Sequence, residues 1–479
     1  MKTLITCIFY FNVFYICSQG NWQVVEIPIE FEAIHIRTLY YDSLENSLWL
    51  GGDIRHVDSI GSVAYNFVLK YDGTNWKHYG PFLGQYINSI CRYQDKIVIG
   101  GSFWNYQGSY VSFLDPKRAL AYIRADTVGS FGGNGVYGLV AGLHVINDEL
   151  YVFGAFDTIA GVIAHNVAKF NGTVCINVFD FPSLTTGGDD GTILFCGDNY
   201  NNKLYVAGQI NDEPYFNSNG HSIAYYEDPD WELAGGGIIL GLGAEIRDMV
   251  VFKEELYVGG VISKSAGNAG NSIQKWNGLS WTGVGDDIRG ENGEVGGFNP
   301  IEDLEVHNNE LYIVGYFDFA GEIPARSIVK WDGEKYCSFG GFFDYHLEAI
   351  AFMQETLYVA GSFYTIDGIQ TYQGKLAKYI GGNSTVACTE VGIIENDALL
   401  QLDIYPSPAN SSINIYLPSS NFVNAEIEVY NLLGQKVMHE KIASSGKSTL
   451  NIRELNNGQY FVIIKQNEGV VGRGKFLKE

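Results

Sequence analysis

Leu256-Tyr257-Val258-Gly259-Gly260 is one of seven copies of a short apolar anchor that ends in glycine. The others are Leu48-Trp49-Leu50-Gly51-Gly52, Ile97-Val98-Ile99-Gly100-Gly101, Leu150-Tyr151-Val152-Phe153-Gly154, Leu204-Tyr205-Val206-Ala207-Gly208, Leu311-Tyr312-Ile313-Val314-Gly315 and Leu357-Tyr358-Val359-Ala360-Gly361. The last glycines are spaced 49, 53, 54, 52, 55 and 46 residues apart. An alternating run such as Ile87-Asn88-Ser89-Ile90-Cys91 precedes the anchor, and another such as Ile273-Gln274-Lys275-Trp276 follows it. Alternation of this kind is the mark of half-buried strands. Short polar turns such as Asn147-Asp148-Glu149 join the first run to the anchor. Asp72-Gly73, Asn171-Gly172, Asn277-Gly278 and Asp332-Gly333 close the third run. Such pairs suit a type I′ hairpin, whose two central residues need positive φ. A fourth run often carries an aromatic residue, as at Trp76, Trp231, Trp281 and Tyr336.

A four-strand unit repeated about every 50 residues predicts a β-propeller. The expected fold class is all-β: a seven-bladed propeller of four-stranded antiparallel blades, followed by a small C-terminal β-sandwich. The seventh unit stops after Leu376-Ala377-Lys378-Tyr379 and runs into Ile380-Gly381-Gly382-Asn383 with no fourth strand. Asn21-Trp22-Gln23-Val24-Val25 stands alone before the first unit and is expected to complete the last blade. Closure would hide two sheet edges. The glycines of the anchors suit close backbone packing.

The anchors resemble those of kelch-like propellers of bacterial surface proteins and the similar propeller of fungal cortical polarity proteins. Those units read roughly Leu-Tyr-Val-Gly-Gly-x-Phe, then a glycine five residues on, then an Ile-Ala-x-Trp-Asp-Gly hairpin. Here the matching stretches are Gly101-Ser102-Phe103 to Gly108, Phe156 to Gly161, Phe363 to Gly368 and, one residue shorter, Phe317 to Gly321. The resemblance implies the fold and leaves the activity open.

The two ends of the chain read as address labels. Met1-Lys2-Thr3, the apolar stretch from Leu4 to Ile16 and the small residues Ser18 and Gly20 predict a secretory signal peptide over 1–20. No later apolar run is long enough to span a membrane. At the other end come Ile404-Tyr405-Pro406-Ser407-Pro408-Ala409, Leu433-Gly434-Gln435-Lys436-Val437 and Leu455-Asn456-Asn457-Gly458-Gln459-Tyr460-Phe461. In order and spacing these three blocks resemble the type A C-terminal sorting domain of the type IX secretion system of Bacteroidetes. Pro406, Pro408, Gly434, Gln435, Gly458 and Tyr460 carry the match; Ser407 departs from the usual asparagine. The resemblance implies the type IX machinery as a partner and an extracellular or outer-membrane-surface location once signal peptide and sorting domain are processed. The alternation in Ala425-Glu426-Ile427-Glu428-Val429-Tyr430 agrees with a small sandwich. The expected layout is signal peptide 1–20, propeller 21–382, linker 383–400 and sorting domain 401–479.

Between residues 21 and 394 the chain holds 45 acidic and 21 basic residues. Such a surface repels nucleic acid and anionic lipid. Five cysteines follow the signal peptide: Cys91, Cys175, Cys196, Cys337 and Cys388. Their odd number and wide spacing suggest buried thiols rather than a disulfide framework or a zinc site.

In four-stranded blades the connections after the second and fourth strands share one face. There the loops are long, at 102–117, 184–191, 209–220 and 283–300. Long loops on a rigid scaffold are where binding residues concentrate. The candidate ligand-binding residues are Trp104, Tyr106, Tyr110, Tyr215, Phe216, Tyr364 and Tyr372, with the acids Asp189, Asp190, Asp286, Asp287, Glu291 and Glu294. Aromatic faces beside carboxylates suit sugar rings; packing of the loops is the alternative. Asp189-Asp190 and Asp286-Asp287 offer oxygen ligands for Ca²⁺ but lack an ordered loop spacing. No cofactor is otherwise implied. No G-x-S-x-G elbow, H-E-x-x-H pair or phosphate-binding loop appears. The expected function is a secreted or surface binding module for a glycan or protein partner. A carbohydrate-active enzyme on the same ring and a structural adhesin are the alternatives.

Overall fold

The computed structural model describes residues 21–479 except 57–64, 107–117, 132–134, 173, 178–191, 211–220, 240–244, 291–300, 372–374, 381–399, 418–424, 432–435, 442–445 and 467–468. It divides into two compact units, one ending at Cys388 and one from Thr389 onward. The expected signal peptide and the expected linker, apart from Leu400, lie outside the described residues.

The first unit is all-β and built as a propeller of four-stranded antiparallel sets. The set Ile246–Phe252, Glu255–Gly260, Ile273–Trp276 and Trp281–Gly283 shows the pattern: sequence order is spatial order, with the anchor second. The same order recurs at Ile193–Tyr200 to Asp230–Leu233 and, with short hairpins inserted, at Val136–Ile146 to Cys175–Asn177 and Ile301–His307 to Tyr336–Cys337. Near the N-terminus one long strand, Trp76–Tyr93, serves two sets: its first part pairs with Tyr65–Tyr71 and its second with Lys96–Tyr106. The last set is Leu347–Met353, Thr356–Gly361, Leu376–Tyr379 and, from the other end of the chain, Trp22–Val24. Trp22 lies opposite Tyr379 and Val24 opposite Ala377. The N-terminal strand therefore takes the place expected of it.

The first strand of each set is innermost. These strands pack against one another in chain order, and the last, Leu347–Met353, packs against the first, Phe31–Asp42. They surround a lumen. One aligned residue per inner strand, Ile36, Ile87, Val140, Leu194, Ile246, Ile301 and Leu347, is fully buried. Each such burial contributes roughly 1.5–3 kcal/mol.

Turn chemistry differs from expectation. The type I′ signature, positive φ at both central residues, occurs between the first and second strands, at Asn147-Asp148, Asn201-Asn202, Lys253-Glu254 and Asn308-Asn309. At the Asp-Gly and Asn-Gly pairs only the glycine has positive φ. At Asp72, Asn277 and Asp332 the first residue's side chain accepts backbone N–H bonds from two and three residues on, as Asp332 Oδ1 does from Glu334 (2.8 Å) and Lys335 (2.9 Å). A four-residue loop held by its own carboxylate is an Asx turn, not a two-residue hairpin.

One cysteine departs from the expected free thiols. Cys91, Cys175 and Cys196 are buried free thiols, but Cys337 is disulfide-bonded, to a partner outside the described residues. Wide sequence spacing conceals a bridge because the fold, not the spacing, brings its ends together.

The second unit has two sheets, one joining Leu400–Gln401, Gly469–Lys478, Gly458–Gln466, Glu426–Tyr430 and Lys436–Lys441, the other Asp403–Tyr405, Ser412–Leu417 and Gly446–Asn451. All pairs are antiparallel except Leu400–Gln401, which runs parallel to Gly472-Arg473. Ile413, Ile415, Ile427, Val429, Leu450, Val462 and Ile464 are fully buried between the sheets. Among the sorting-motif residues, Tyr460 stacks on Phe476 with ring centroids 5.4 Å apart and donates to Asn456 O at 2.8 Å. Gly458 sits at φ 153° at the start of its strand, and Pro406 and Pro408 fall in the turn after Asp403–Tyr405. Gly434 and Gln435 lie outside the described residues.

Candidate functional site

The anchor's last glycine explains the lumen. A Cβ on Gly260 would stand 2.1 Å from Glu245 O, and one on Gly101, Gly154, Gly208 or Gly361 would meet the matching carbonyl of Tyr86, Leu139, Ile193 or His346 at 2.0–2.2 Å. The inner strand presses onto the anchor at that point because it bulges there. Opposite this glycine the pairing skips one residue of each inner strand: Arg37, Asn88, Ala141, Phe195, Arg247, Glu302 and Glu348. A bulge re-aims the extra side chain. Here it does so at the same level all round the ring.

Arg37, Phe195, Arg247, Glu302 and Glu348 interact with one another. Arg247 Nε is 3.9 Å from Glu302, and Arg247 also pairs with Glu245. Its guanidinium lies over Phe195, 4.9 Å from the ring centre. Glu348 hydrogen-bonds His35 Nδ1 at 3.1 Å. The Arg37 guanidinium lies over Tyr86 at 3.9 Å, and its charge is felt by both Glu302 and Glu348. Burial pushes the Glu302 carboxyl above its ordinary range, with Arg247 opposing. Glu348 is held below its range: burial pushes it upward, but the His35 hydrogen bond and the Arg37 charge together outweigh that. Burial lowers His346. Three buried atoms of this ring, Arg37 Nε, Asn88 Oδ1 and Arg247 Nε, have no hydrogen-bond partner.

The cluster lies toward the long-loop face, because inner strands enter from that side. At its rim Tyr316 stacks flat on His346, with centroids 4.3 Å apart and planes at 3°. Tyr345 leans on both, at 5.6 Å and 4.5 Å. Tyr316 and Tyr345 are 38 % and 42 % exposed, unusual for large aromatics held by stacking.

One level deeper, acids hook neighbouring sets together. Leu304 N–H donates to Asp248 Oδ2 and Ile350 N–H to Asp303 Oδ2, both at 2.9 Å; Ser89 Oγ receives Leu143 N–H at 3.1 Å. Asp248 and Asp303 are both pushed upward by burial, Asp248 also by the charge of Asp303. Glu305 is pushed up to about 8 by burial and then by Asp303. These groups hold protons in the fold that they release when unfolded. Their contribution is full below the ordinary carboxylate range near pH 4 and is lost as pH rises through the folded values. We therefore expect the ring's melting temperature to fall between pH 5 and pH 9. Glu305→Gln should flatten the limb around pH 8 and Asp303→Asn the limb below it. A pH-independent melting temperature across that window would contradict these assignments.

The residues expected from sequence fare differently. Tyr364 is exposed, with Lys375 Nζ 3.5 Å from its ring centre. Asp287 is spoken for: it accepts Asn271 N–H at 3.1 Å and pairs with Lys264 at 3.3 Å. Asp286 is exposed beside it. Trp104 and Tyr106 fall within the strand Lys96–Tyr106, at its outer end. Tyr110, Asp189, Asp190, Tyr215, Phe216, Glu291, Glu294 and Tyr372 lie outside the described residues. Among the described residues no three His, Cys, Asp or Glu side chains group as a metal would require. The lumen residues escaped the sequence reading, although a signal existed: a charged or polar residue directly after the aligned Ile of an otherwise apolar strand, as in Ile36-Arg37, Ile87-Asn88, Ile246-Arg247, Ile301-Glu302 and Leu347-Glu348.

Among solved structures, the chain is similar to the β-propeller domain of the Trilobed protease from Pyrococcus furiosus, at 10 % identity, covering 70 % of this chain and 92 % of that one, with TM-score 0.40. A structural-genomics protein of unknown function from Bacteroides thetaiotaomicron matches at 11 % identity over 74 % and 98 %, with TM-score 0.32. A fungal alcohol oxidase of the AA5 family, in complex with copper, matches at 10 % identity over 96 % and 99 %, with TM-score 0.35. No curated protein matches the sequence. No helix among the described residues is long and apolar enough to cross a membrane. Residues 403–479 match the family of secretion system C-terminal sorting domains, so the chain carries the type IX tail of a protein exported to the cell surface or the extracellular space.

Proposed function

We propose that the exported ring is a binding module whose ligand is an extracellular glycan, taken at the mouth of its lumen. On this reading the ring is seven-bladed and spans 21–382, behind a signal peptide over 1–20 and ahead of a linker over 383–400. The observation that carries it is the Tyr316–His346–Tyr345 stack, with both tyrosines exposed, at the rim of a lumen lined by arginines and carboxylates. Flat aromatic faces take the C–H face of a pyranose, and charged groups beside them take its hydroxyls. A rim that served only for packing would bury its tyrosines. Tyr364 extends the same face. Ca²⁺ at the Asp-rich loops is a separate proposal, readable as EDTA sensitivity.

One observation favours a hydrolytic alternative. Glu302 and Glu348 share the lumen, and their surroundings push them in opposite directions. Two carboxyls whose environments shift them apart, Glu302 upward and Glu348 downward, are what an acid–base pair requires.

The test is the full chain incubated with a polysaccharide panel, with thermal shift and released reducing ends followed together. We expect stabilisation without release. Tyr316→Ala and Tyr345→Ala should each weaken binding about tenfold, the worth of one lost stacking contact. Release of reducing ends would make the ring an enzyme. Silence in both channels would favour a protein partner or a structural role.

A further inference from the structure

The lumen is walled by inner strands on every side, so a polymer can enter it only by an end. Arg37 stands in that wall with an uncommitted guanidinium: among the described residues it forms no hydrogen bond and no ion pair, and its Nε is buried without a partner. Leaving such donors unmet costs more than a typical hydrogen bond returns. The inner strand that carries Arg37 also carries His35, which binds Glu348 at 3.1 Å across the seam between the first and last sets. Donor and acceptor are thereby held side by side. Arg247, in contrast, is already engaged by Glu245 and Glu302.

Resting on the glycan reading above, we propose that the lumen takes the terminal residue of an uncharged glycan, with adjacent hydroxyls held between Arg37 and Glu348. A guanidinium donates to one hydroxyl oxygen and a carboxylate accepts from the next hydroxyl, so the pair complements a vicinal diol. Tyr86 braces the guanidinium, and the neighbouring bulge carries an unmet acceptor, Asn88 Oδ1. An acidic sugar fits worse. Its carboxylate would share the lumen with Glu245, Glu302 and Glu348, and like charges in a confined site repel. The rim tyrosines then carry the sugars that follow the terminal one.

The experiment uses the full chain, a bound polysaccharide from the panel above, and methyl glycosides of glucose, galactose and mannose beside methyl glucuronoside and galacturonoside. At least one neutral methyl hexoside should bind and displace the polysaccharide, with the uronosides at least about tenfold weaker. Arg37→Met and Glu348→Gln should each weaken the monosaccharide about 10- to 100-fold, the range for a lost hydrogen bond to a charged group. Arg37→Lys, which keeps the charge and loses the planar fork, should fall between. Tyr316→Ala should weaken the polysaccharide and spare the monosaccharide. Melting temperatures identify any variant that fails to fold, and the wild-type competition decides the point without variants. If the polysaccharide binds through Tyr316 but no methyl glycoside competes, or the uronosides bind better, end recognition of a neutral sugar falls while the glycan reading stands. If no glycan binds at all, both fall.

Discussion

Trp22→Ala is expected to lower the stability of the propeller by about 3–5 kcal/mol, the range for removing a fully buried tryptophan. The side chain is 0 % exposed. Its Nε1 donates to Gly340 O at 2.8 Å, and its ring packs edge-on against Phe343 and Tyr379, each at 5.2 Å between centroids. The strand it belongs to is short, only Trp22–Val24, so three residues of backbone pairing cannot hold the edge by themselves. Val25 N–H adds one bond, to Leu376 O at 2.8 Å. The tryptophan is thus the bolt that joins the two ends of the ring. Without it the strand Leu376–Tyr379 becomes an exposed edge, open to pairing with another chain. Equilibrium denaturation of wild type and variant measures the loss, and light scattering measures the association that should accompany it. A loss under about 1 kcal/mol would mean that the ring is held shut by the inner strands alone. Deleting Asn21 to Pro28 should have at least as large an effect.

Gly260→Ala is the second large effect, expected to cost about 3 kcal/mol or more. The added Cβ would meet only backbone: Glu245 O at 2.1 Å, Ile246 Cα at 2.8 Å and Arg247 N at 3.0 Å. No side chain can swing aside to make room. Relief would require flattening the bulge, which would turn Arg247 away from Glu302 and Phe195. The variant should therefore lose glycan binding more steeply than its stability alone predicts. Gly161→Ala is the control. It also changes a glycine, at φ 83°, but nothing lies within 4 Å of the new Cβ. Its cost should be only the strain of a left-handed alanine, about 1 kcal/mol. Equal losses at the two positions would show that the glycines serve backbone conformation rather than close approach.

Much of this architecture was legible in the chain. The anchors mark the second strands, the runs around them mark the first and third, and the orphan strand at Trp22 pairs where an incomplete last unit needs it. Local periodicity suffices for that, because strand alternation and glycine spacing are written in neighbouring residues. The turns were read less well. Asp332-Gly333 looked like a two-residue hairpin, but the carboxylate captures two N–H groups beyond it and opens a four-residue loop. Asn308-Asn309, with no glycine, takes the type I′ turn instead. Asparagine tolerates positive φ, and the two strands it joins impose the twist.

The sites divide along the same line. Aromatics in long loops were the natural candidates, and of these the structure places Tyr364 on the exposed face. The rim stack was missed because Tyr316, Tyr345 and His346 come from two neighbouring sets and touch only after folding. The lumen was missed for a related reason. Arg37, Arg247, Glu302 and Glu348 are separated by up to 311 positions in the chain, and alternation alone does not tell an inward residue from an outward one. By itself, the sequence determined that the chain is an all-β repeat with an export tail, because both are patterns of adjacent residues. Only the tertiary structure decided which residues face one another across the axis. The bulge that each inner strand presses onto an anchor glycine turns one side chain toward a common centre, and that convergence exists only once the ring has closed.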